Sequence, residues 1–281
     1  MKKLLLLLCV LFAGLGLTAC NTTEKGLSTE GVLVVGMECA YNPFNWTEGA
    51  SNEFTVAIDN QPGSYVDGYD VQIAKMIADE LDVELKIKAL EWGGLISALN
   101  AGEIDMIIAG MSNTAERRQS IDFTNGYYTS EEVLLVMATG EYADCTKLSQ
   151  FEGAVVAGQQ GTLYADFAEQ ASKNHGTIFD ATKNLATVAD ILNEMNSGLV
   201  DAQVVELPVA QGIVAAESSY KIVRLDADST FVTNPEDVEV CIGIRKEFTL
   251  KDRVNEILAG ISTETRNQLM AEAVNRAGQA E

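Results

Sequence analysis

The sequence predicts an α/β fold of two lobes, each a mainly parallel β-sheet flanked by helices, with two strands joining the lobes as a hinge. The strongest sign is a unit that occurs twice, over residues 100–108 and 196–204. Each copy has Asn, Gly and Asp at the same offsets, after an amphipathic stretch and before an apolar run. A helix stopped by glycine, a tight turn and a buried strand explain each copy. Alternation of such helices and strands favours parallel sheets with crossover helices.

A polar residue follows each copy of the unit. Arg117 comes after the first copy and Glu206 after the second. Open α/β sheets bind ligands beyond the carboxyl ends of their strands, where these residues are expected. A cation and a carboxylate that face each other from two lobes would hold a zwitterion.

The N-terminus has the pattern of a secretory signal peptide over residues 1–19, outside the fold. Two lysines precede an apolar run over residues 4–17 that is too short to span a membrane. The run ends in Leu-Thr-Ala-Cys20, which resembles the lipobox of bacterial lipoproteins, where the cysteine is lipidated. Residues 20–30 would then be a polar tether, and the protein would be extracytoplasmic and anchored to the cell membrane by lipid. An ordinary cleavage site followed by an unrelated cysteine remains the alternative.

The chain then continues with elements of a first lobe. Residues 32–36 form a short apolar strand, and residues 47–68 look like a hairpin insertion. Residues 71–81 carry their apolar side chains on one helical face, and residues 83–89 alternate as a strand.

Two extended apolar segments, residues 133–137 and 238–244, predict the two crossings between the lobes. The predicted division is residues 31–136 with 241–281 in lobe 1 and residues 137–240 in lobe 2. A cleft between lobes joined in this way can close through a few changed dihedral angles.

Composition narrows the classes of partner. The formal net charge of −22 argues against nucleic acid and anionic membrane surfaces. It favours a cationic solute, although a solvated acidic surface explains it as well. Cys39, Cys145 and Cys241 have no CxxC spacing and the chain has one histidine, so no metal site or cofactor is predicted. Small buried side chains are the expected role of these cysteines, and a disulfide remains open.

Seven short stretches together carry a resemblance to a known family. In chain order they are Tyr41-Asn-Pro43-Phe44, Gly68-Tyr-Asp70-Val-Gln-Ile-Ala, Leu95-Ile96 with Gly102-Glu-Ile-Asp105, Gly110-Met111-Ser112 through Arg117, Ile121-Asp122-Phe123-Thr124 with Tyr127-Tyr128, Gln160-Gly161-Thr162, and Val200-Asp201-Ala202 with Glu206-Leu-Pro208. The chain resembles the extracellular solute-binding proteins of polar amino acid ABC uptake systems.

The resemblance implies a periplasmic-binding-protein-like fold of type II that binds a polar amino acid and delivers it to a membrane permease, without catalysis. The sequence has no ATPase motif, so that subunit would be separate. A monomer is expected.

Two sets of groups are expected to hold the ligand carboxylate. Arg117 offers a planar pair of donors that lysine does not match. A surface ion pair with Glu116 or another neighbouring residue is the alternative. Gly161 and Thr162 precede a helix predicted from Leu163, whose free N–H groups would bind the same carboxylate from the second lobe. A Gln-Gln-Gly-Thr loop can also be an ordinary turn.

The resemblance assigns further residues to the site. Glu206 would accept the ligand ammonium, although the family pattern has Asp there, and capping of the helix near Pro208 is the alternative. Gly110, Met111 and Ser112 match the family's ligand-binding loop.

Three residues are expected around the ligand side chain. Tyr41 and Trp92 match positions that flank it in the family, although either could be plain core. Glu38 lies at a strand end where some binders of basic amino acids keep an acid. Arginine or lysine is therefore expected ahead of glutamine, unless Glu38 is simply solvated.

Two other classes of function remain. An exported enzyme on this fold, such as a cyclohexadienyl-type dehydratase, needs a spare carboxyl group in a desolvated cleft, beyond those assigned to binding. A sensory ligand-binding domain is disfavoured because no apolar span follows residue 20.

Overall fold

A computed structural model describes residues 26–129, 131–234 and 237–279. The predicted signal peptide and Cys20 lie outside these residues. Within them, no helix has both the length and the apolar character to cross a membrane.

The described chain alternates strands and helices. The strands are β1 (Val32–Met37), β2 (Ala40–Tyr41), β3 (Asn45–Glu48), β4 (Val56–Ala57), β5 (Tyr65–Asp67), β6 (Glu84–Ala89), β7 (Met106–Ile107), β8 (Asp122–Thr129), β9 (Glu132–Met137), β10 (Val156–Ala157), β11 (Ala202–Glu206), β12 (Tyr220–Val223) and β13 (Glu239–Ile244). The α-helices are α1 (Tyr69–Leu81), α2 (Leu95–Ala101), α3 (Arg117–Ser120), α4 (Leu163–His175), α5 (Val188–Asn196), α6 (Leu207–Ala216), α7 (Lys251–Gly260) and α8 (Thr263–Ala277).

The first lobe is built on a five-stranded sheet in the order β6-β1-β7-β13-β8. β1 runs parallel to β6 and β7, whereas β13 runs antiparallel to β7 and β8. Leu33, Val35 and Met37 of β1 are fully buried in one core with Ile73 and Ile77 of α1. The alternation of strand side chains and the apolar stripe of the helix thus meet in one layer.

The second lobe is built on a four-stranded sheet in the order β10-β11-β9-β12. β10 is parallel to β11, and β9 is antiparallel to both β11 and β12. Phe167 of α4 packs in one core with Val136 and Val204, while Leu135 and Val209 belong to the larger core that continues into the first lobe. Helices therefore cover both faces of this sheet.

The two-lobe α/β fold is confirmed, and in the described residues each sheet is mainly parallel: β13 runs opposite to the other four strands of the first sheet, and β9 runs opposite to the other three of the second. β9 and β13 are the strands that the chain forms directly after it crosses from one lobe to the other. Each is antiparallel to its neighbours in the sheet. A strand that is reached from the other lobe has no crossover helix within its own sheet, so nothing imposes the parallel direction.

The positions of the crossings also differ from the predicted division. β9 pairs with β11 and β12 along its length, so the chain has entered the second sheet by Glu132 rather than at residue 137. β13 pairs with β8 from Glu239, two residues ahead of the predicted return at 241.

A small antiparallel sheet in the order β2-β3-β5-β4 corresponds to the insertion predicted over residues 47–68, and it begins earlier, at Ala40. Its first strand contains Tyr41, which is buried. This insertion therefore supplies one wall of the space between the lobes.

The two copies of the repeated unit fold as predicted at their glycines. α2 ends at Gly102, which has a φ of 74°, and α5 is followed by Gly198, which has a φ of 69°. Glycine adopts this left-handed conformation without the steric cost that a Cβ would impose.

The shared aspartates of the repeat make the same bonds in both lobes. The amide of Asp105 donates to the carbonyl of Val34, and its carboxylate accepts from the Val34 amide at 3.0 Å. Asp201 makes the same reciprocal pair with Val155, with its carboxylate 2.8 Å from that amide. These aspartates fix the start of one strand against its neighbour. The repeated unit therefore has a structural role in both lobes.

Candidate functional site

A pocket lies between the lobes, at the carboxyl ends of parallel strands from both sheets. The residues lining it are Glu38, Tyr41, Trp92, Gly110, Ser112, Arg117, Gln159, Thr162, Leu163, Tyr164 and Glu206. Several of them also line a larger outer cleft of about 1360 Å³, which Met111 and Gly161 border as well. The structure thus brings all ten residues of the sequence-predicted site to one place between the lobes, and their roles in binding remain predictions.

Arg117 is the first residue of α3 and reaches across the gap. Its Nη1 donates to the carbonyl of Ser112 at 2.9 Å, and its Nη2 donates to the carbonyl of Gly161 in the second lobe at 3.4 Å. The guanidinium carbon lies 5.0 Å from the centroid of the Trp92 ring, within cation–π range. Burial lowers the pKa of Arg117. Within the described chain Arg117 forms no salt bridge with a carboxylate, and this includes Glu116, the partner that the alternative interpretation named.

The loop before α4 is held by hydrogen bonds of its own hydroxyl and carbonyl groups. α4 begins at Leu163, as predicted, and the Thr162 hydroxyl caps it by accepting from the Tyr164 amide at 3.2 Å and donating to the Gln159 carbonyl at 2.7 Å. Towards the first lobe Gly161 presents its carbonyl, which also accepts from Trp92 Nε1 at 2.9 Å. In this conformation the loop offers Arg117 an acceptor, and the binding of a ligand carboxylate by its amides remains a prediction.

Glu206 ends β11 and is buried, with 1% of its surface exposed. The Tyr41 hydroxyl, from the first lobe, donates to Glu206 Oε1 at 2.9 Å. Glu206 is the N-cap residue of α6, but its side chain makes no capping hydrogen bond. Gly110 lies beside this pair with a φ of 63°, and a Cβ there would lie 3.1 Å from the Tyr41 ring. A side chain at Gly110 would therefore crowd Tyr41 against Glu206.

Glu38 follows β1 and meets Gln159 from the second lobe. Gln159 Nε2 donates to Glu38 Oε1 at 2.9 Å and to the carbonyl of Ala186 at 2.9 Å. Burial raises the pKa of Glu38 to about 7, and the hydrogen bond from Gln159 offsets part of the rise. The carboxyl group of Glu38 is therefore largely desolvated.

Behind the pocket, one buried carboxylate holds the two first-lobe loops that line it. Asp70 accepts from the Tyr127 hydroxyl at 2.6 Å and from Asn45 Nδ2 at 2.8 Å. The Tyr127 oxygen in turn accepts from the Gly110 amide at 3.2 Å, and Asn45 Oδ1 accepts from the Cys39 amide at 2.7 Å. Each arm of this network thus ends on the backbone of a pocket loop.

The network holds a backbone that the sequence alone does not favour. Cys39 has a φ of 58°, a left-handed conformation that is uncommon for residues with a Cβ. Burial raises the pKa of Asp70 to about 7, against the opposing effect of the hydrogen bonds from Tyr127 and Asn45.

All three cysteines of the described chain are free thiols. Cys39 and Cys241 are buried, as expected, whereas Cys145 is half-buried.

Three residues of the site were missed by sequence reasoning. Gln159 immediately precedes the Gln-Gly-Thr motif, and Tyr164 lies in the first turn of α4. Asp70 lies in one of the stretches that resemble the family, but the sequence assigns it no role in the site. Each of the three lies at the end of an apolar strand or at the start of a helix. This position indicates a role in the site, since ligand-facing side chains of α/β folds lie at such places.

Two α/β lobes that enclose a pocket lined by charged and aromatic side chains from both define a solute-binding protein of the two-lobe kind. The family model of the bacterial extracellular solute-binding proteins, family 3, matches residues 33–274. The chain belongs to this family.

Individual relatives agree with this assignment. The chain is 28% identical over 263 residues to the arginine-binding extracellular protein ArtP of Bacillus subtilis, covering 92% of each protein. It is 34% identical over 221 residues to a probable histidine-binding protein of Campylobacter jejuni, covering 76% of this chain and 78% of the relative. The crystal structure of the amino acid ABC transporter substrate-binding protein AbpA of Streptococcus pneumoniae bound to L-arginine superposes with a TM-score of 0.71 at 25% identity, covering 89% of this chain and 97% of that one.

These comparisons confirm the family and the type II fold predicted from the sequence. The relatives are named as binding proteins.

Proposed function

We propose that this protein captures a polar amino acid with a cationic side chain between its lobes and delivers it to the permease of an ABC transporter that has a separate ATPase. The observation that carries the proposal is the guanidinium of Arg117. It is desolvated at the interlobe pocket, and main-chain carbonyls rather than carboxylates accept its hydrogen bonds. A ligand carboxylate would supply the missing counter-charge in bidentate geometry.

The ligand ammonium is assigned to Glu206. Its carboxylate comes from the second lobe and is held by the Tyr41 hydroxyl of the first lobe. A ligand that bridges Arg117 and Glu206 therefore joins the lobes through its two charged groups.

The ligand side chain is assigned to the end of the pocket that contains Glu38 and Trp92. An acid and an aromatic ring both favour a cation. The named ligands of the relatives, arginine and histidine, support a side chain that can carry positive charge. No catalytic step is assigned, because Glu38 and Glu206 are both used in binding.

A thermal-shift panel of the twenty amino acids tests the proposal. Arginine or lysine is expected to give the largest rise in melting temperature, since a ligand at 100 times its dissociation constant adds about 2.7 kcal/mol of stability. No shift with any amino acid would refute amino acid capture, and a neutral amino acid that binds tenfold tighter would refute the cationic specificity. Aromatic product after incubation with prephenate or arogenate would favour the enzyme instead.

The lipid anchor at Cys20 is proposed from the lipobox-like sequence and agrees with a family of extracellular proteins. Cys20→Ala is expected to move the protein from the membrane fraction to the medium or the soluble extracytoplasmic fraction, because the acyl chains would be its attachment. Cell fractionation followed by immunoblotting measures this, with Cys145→Ala as the matched control. Retention of Cys20→Ala on membranes after a high-salt wash would contradict the anchor.

A further inference from the structure

We propose that Gln159 is a specificity-determining residue that acts with Glu38 as a pair of acceptors, one from each lobe, and that the pair selects a ligand side chain ending in a guanidinium group. This inference rests on the proposed function and narrows it from cationic amino acids to arginine-like ones.

The orientation of the Gln159 amide is fixed by its neighbours. Its side chain follows β10 and is buried, with 3% of the residue exposed. Nε2 donates both to Glu38 Oε1 and to the carbonyl of Ala186, each at 2.9 Å. Both partners accept hydrogen bonds, so the nitrogen must face them and Oε1 must be the free end of the amide. Within the described residues, Oε1 has no hydrogen-bond donor, although Gln159 lines the pocket.

Glu38 presents a second acceptor at the same place. Its Oε1 is occupied by Gln159, while Oε2 has no hydrogen bond in the part of the chain that the structure describes. The bond between the two side chains ties them together, so with Glu38 ionised, the form that a cationic ligand favours, Glu38 Oε2 and Gln159 Oε1 form a pair of acceptors without a free donor. The pair is divided between the lobes, and it is complete when the lobes meet.

The chemistry of this pair decides among side chains of similar length. A guanidinium carries five N–H groups in one plane and no acceptor, so it can donate to two separate oxygens at once and can stack on an aromatic ring such as Trp92. An ammonium has three donors on one atom and forms a more compact, strongly hydrated point charge. A urea or amide group brings a carbonyl oxygen, which would face acceptors and remain unpaired.

The test compares L-arginine, L-lysine and L-citrulline by calorimetry on the mature wild-type protein. Citrulline has the length and shape of arginine with one nitrogen replaced by a carbonyl oxygen. We expect arginine to bind at least about tenfold tighter than lysine and about 100-fold tighter than citrulline, in line with the cost of unpaired buried polar groups. Equal affinity for lysine and arginine would overturn the inference without any variant.

Gln159→Met then removes the acceptor and keeps the volume. We expect it to weaken arginine binding about tenfold and lysine binding less than threefold, so that the preference for arginine over lysine collapses. The matched control is Gln160→Met, the same change at the next residue, which is exposed at the outer cleft. It should leave both affinities within twofold.

The outcomes separate this inference from the proposed function. If Gln159→Met weakens the binding of arginine and of lysine equally, or weakens neither, the role of Gln159 is overturned while amino acid capture stands. Absence of binding by wild type to any amino acid would instead refute the proposed function itself.

Discussion

Arg117→Lys is expected to weaken amino acid binding by about 2 to 5 kcal/mol, the cost found when one partner of a buried charge pair is lost. Lysine keeps the positive charge, but its ammonium cannot donate two parallel hydrogen bonds to a carboxylate. It also cannot hold the Ser112 carbonyl and the ligand at once, as the forked guanidinium can. Isothermal titration calorimetry with arginine measures the loss, and the unfolding midpoint of the ligand-free protein should change little.

Arg118→Lys is the matched control, because it makes the same chemical change at the next residue. The Arg118 Nη1 bonds to the side chain and main chain of Asn113, and Arg118 borders the outer cleft rather than the inner pocket. Its affinity for arginine should remain close to that of wild type. An Arg117→Lys affinity within threefold of wild type would refute the assigned role of the guanidinium.

The parts of the fold that were predictable from the sequence depend on local signals. Gly102 and Gly198 stop helices because a left-handed residue is needed there, and such positions can be recognised from neighbouring residues alone. The positions of Arg117 and Glu206 followed from the same repeat, since the strand after each glycine must end near the ligand side of its sheet.

The parts that were missed depend on contacts between distant residues. Glu38 and Gln159 are 121 residues apart in the chain, and neither shows its partner in its own neighbourhood. The crossing near residue 132 was placed late because an apolar strand such as Val133–Met137 has the same composition in either sheet. Pairing with β11 and β12 decides the lobe, and pairing is not a local property.

Asp70→Ala is expected to lower both the stability and the affinity of the protein. The Tyr127 hydroxyl and Asn45 Nδ2 would be left without their acceptor in a buried site, at a combined cost of roughly 2 to 4 kcal/mol in the free energy of unfolding. The backbone at Cys39 and Gly110 would lose its support, so the ligand would have to order these loops on binding. We expect arginine affinity to fall about tenfold, the size of one such ordering cost.

Asp105→Ala separates positioning from general destabilisation. Asp105 is also a buried aspartate that holds backbone amides, but those amides belong to Ser28 and Val34, away from the pocket. Chemical denaturation should show a loss of stability for both variants, whereas calorimetry on the folded proteins should show weakened binding for Asp70→Ala alone. If Asp70→Ala and Asp105→Ala bind arginine with equal affinity, Asp70 contributes to the stability of the fold but does not position the pocket loops.

The pH dependence of stability gives a further sign of the Asp70 network. Burial raises the pKa of Asp70 from its ordinary value of 3.8 to about 7, so between these values the folded protein binds a proton that the unfolded chain does not. The stability that this proton contributes is complete below pH 4 and is lost as the pH rises through 7. The difference in unfolding free energy between wild type and Asp70→Ala should therefore be larger at pH 5 than at pH 8. A difference that grows with rising pH would contradict a desolvated Asp70 and require a cationic partner for it.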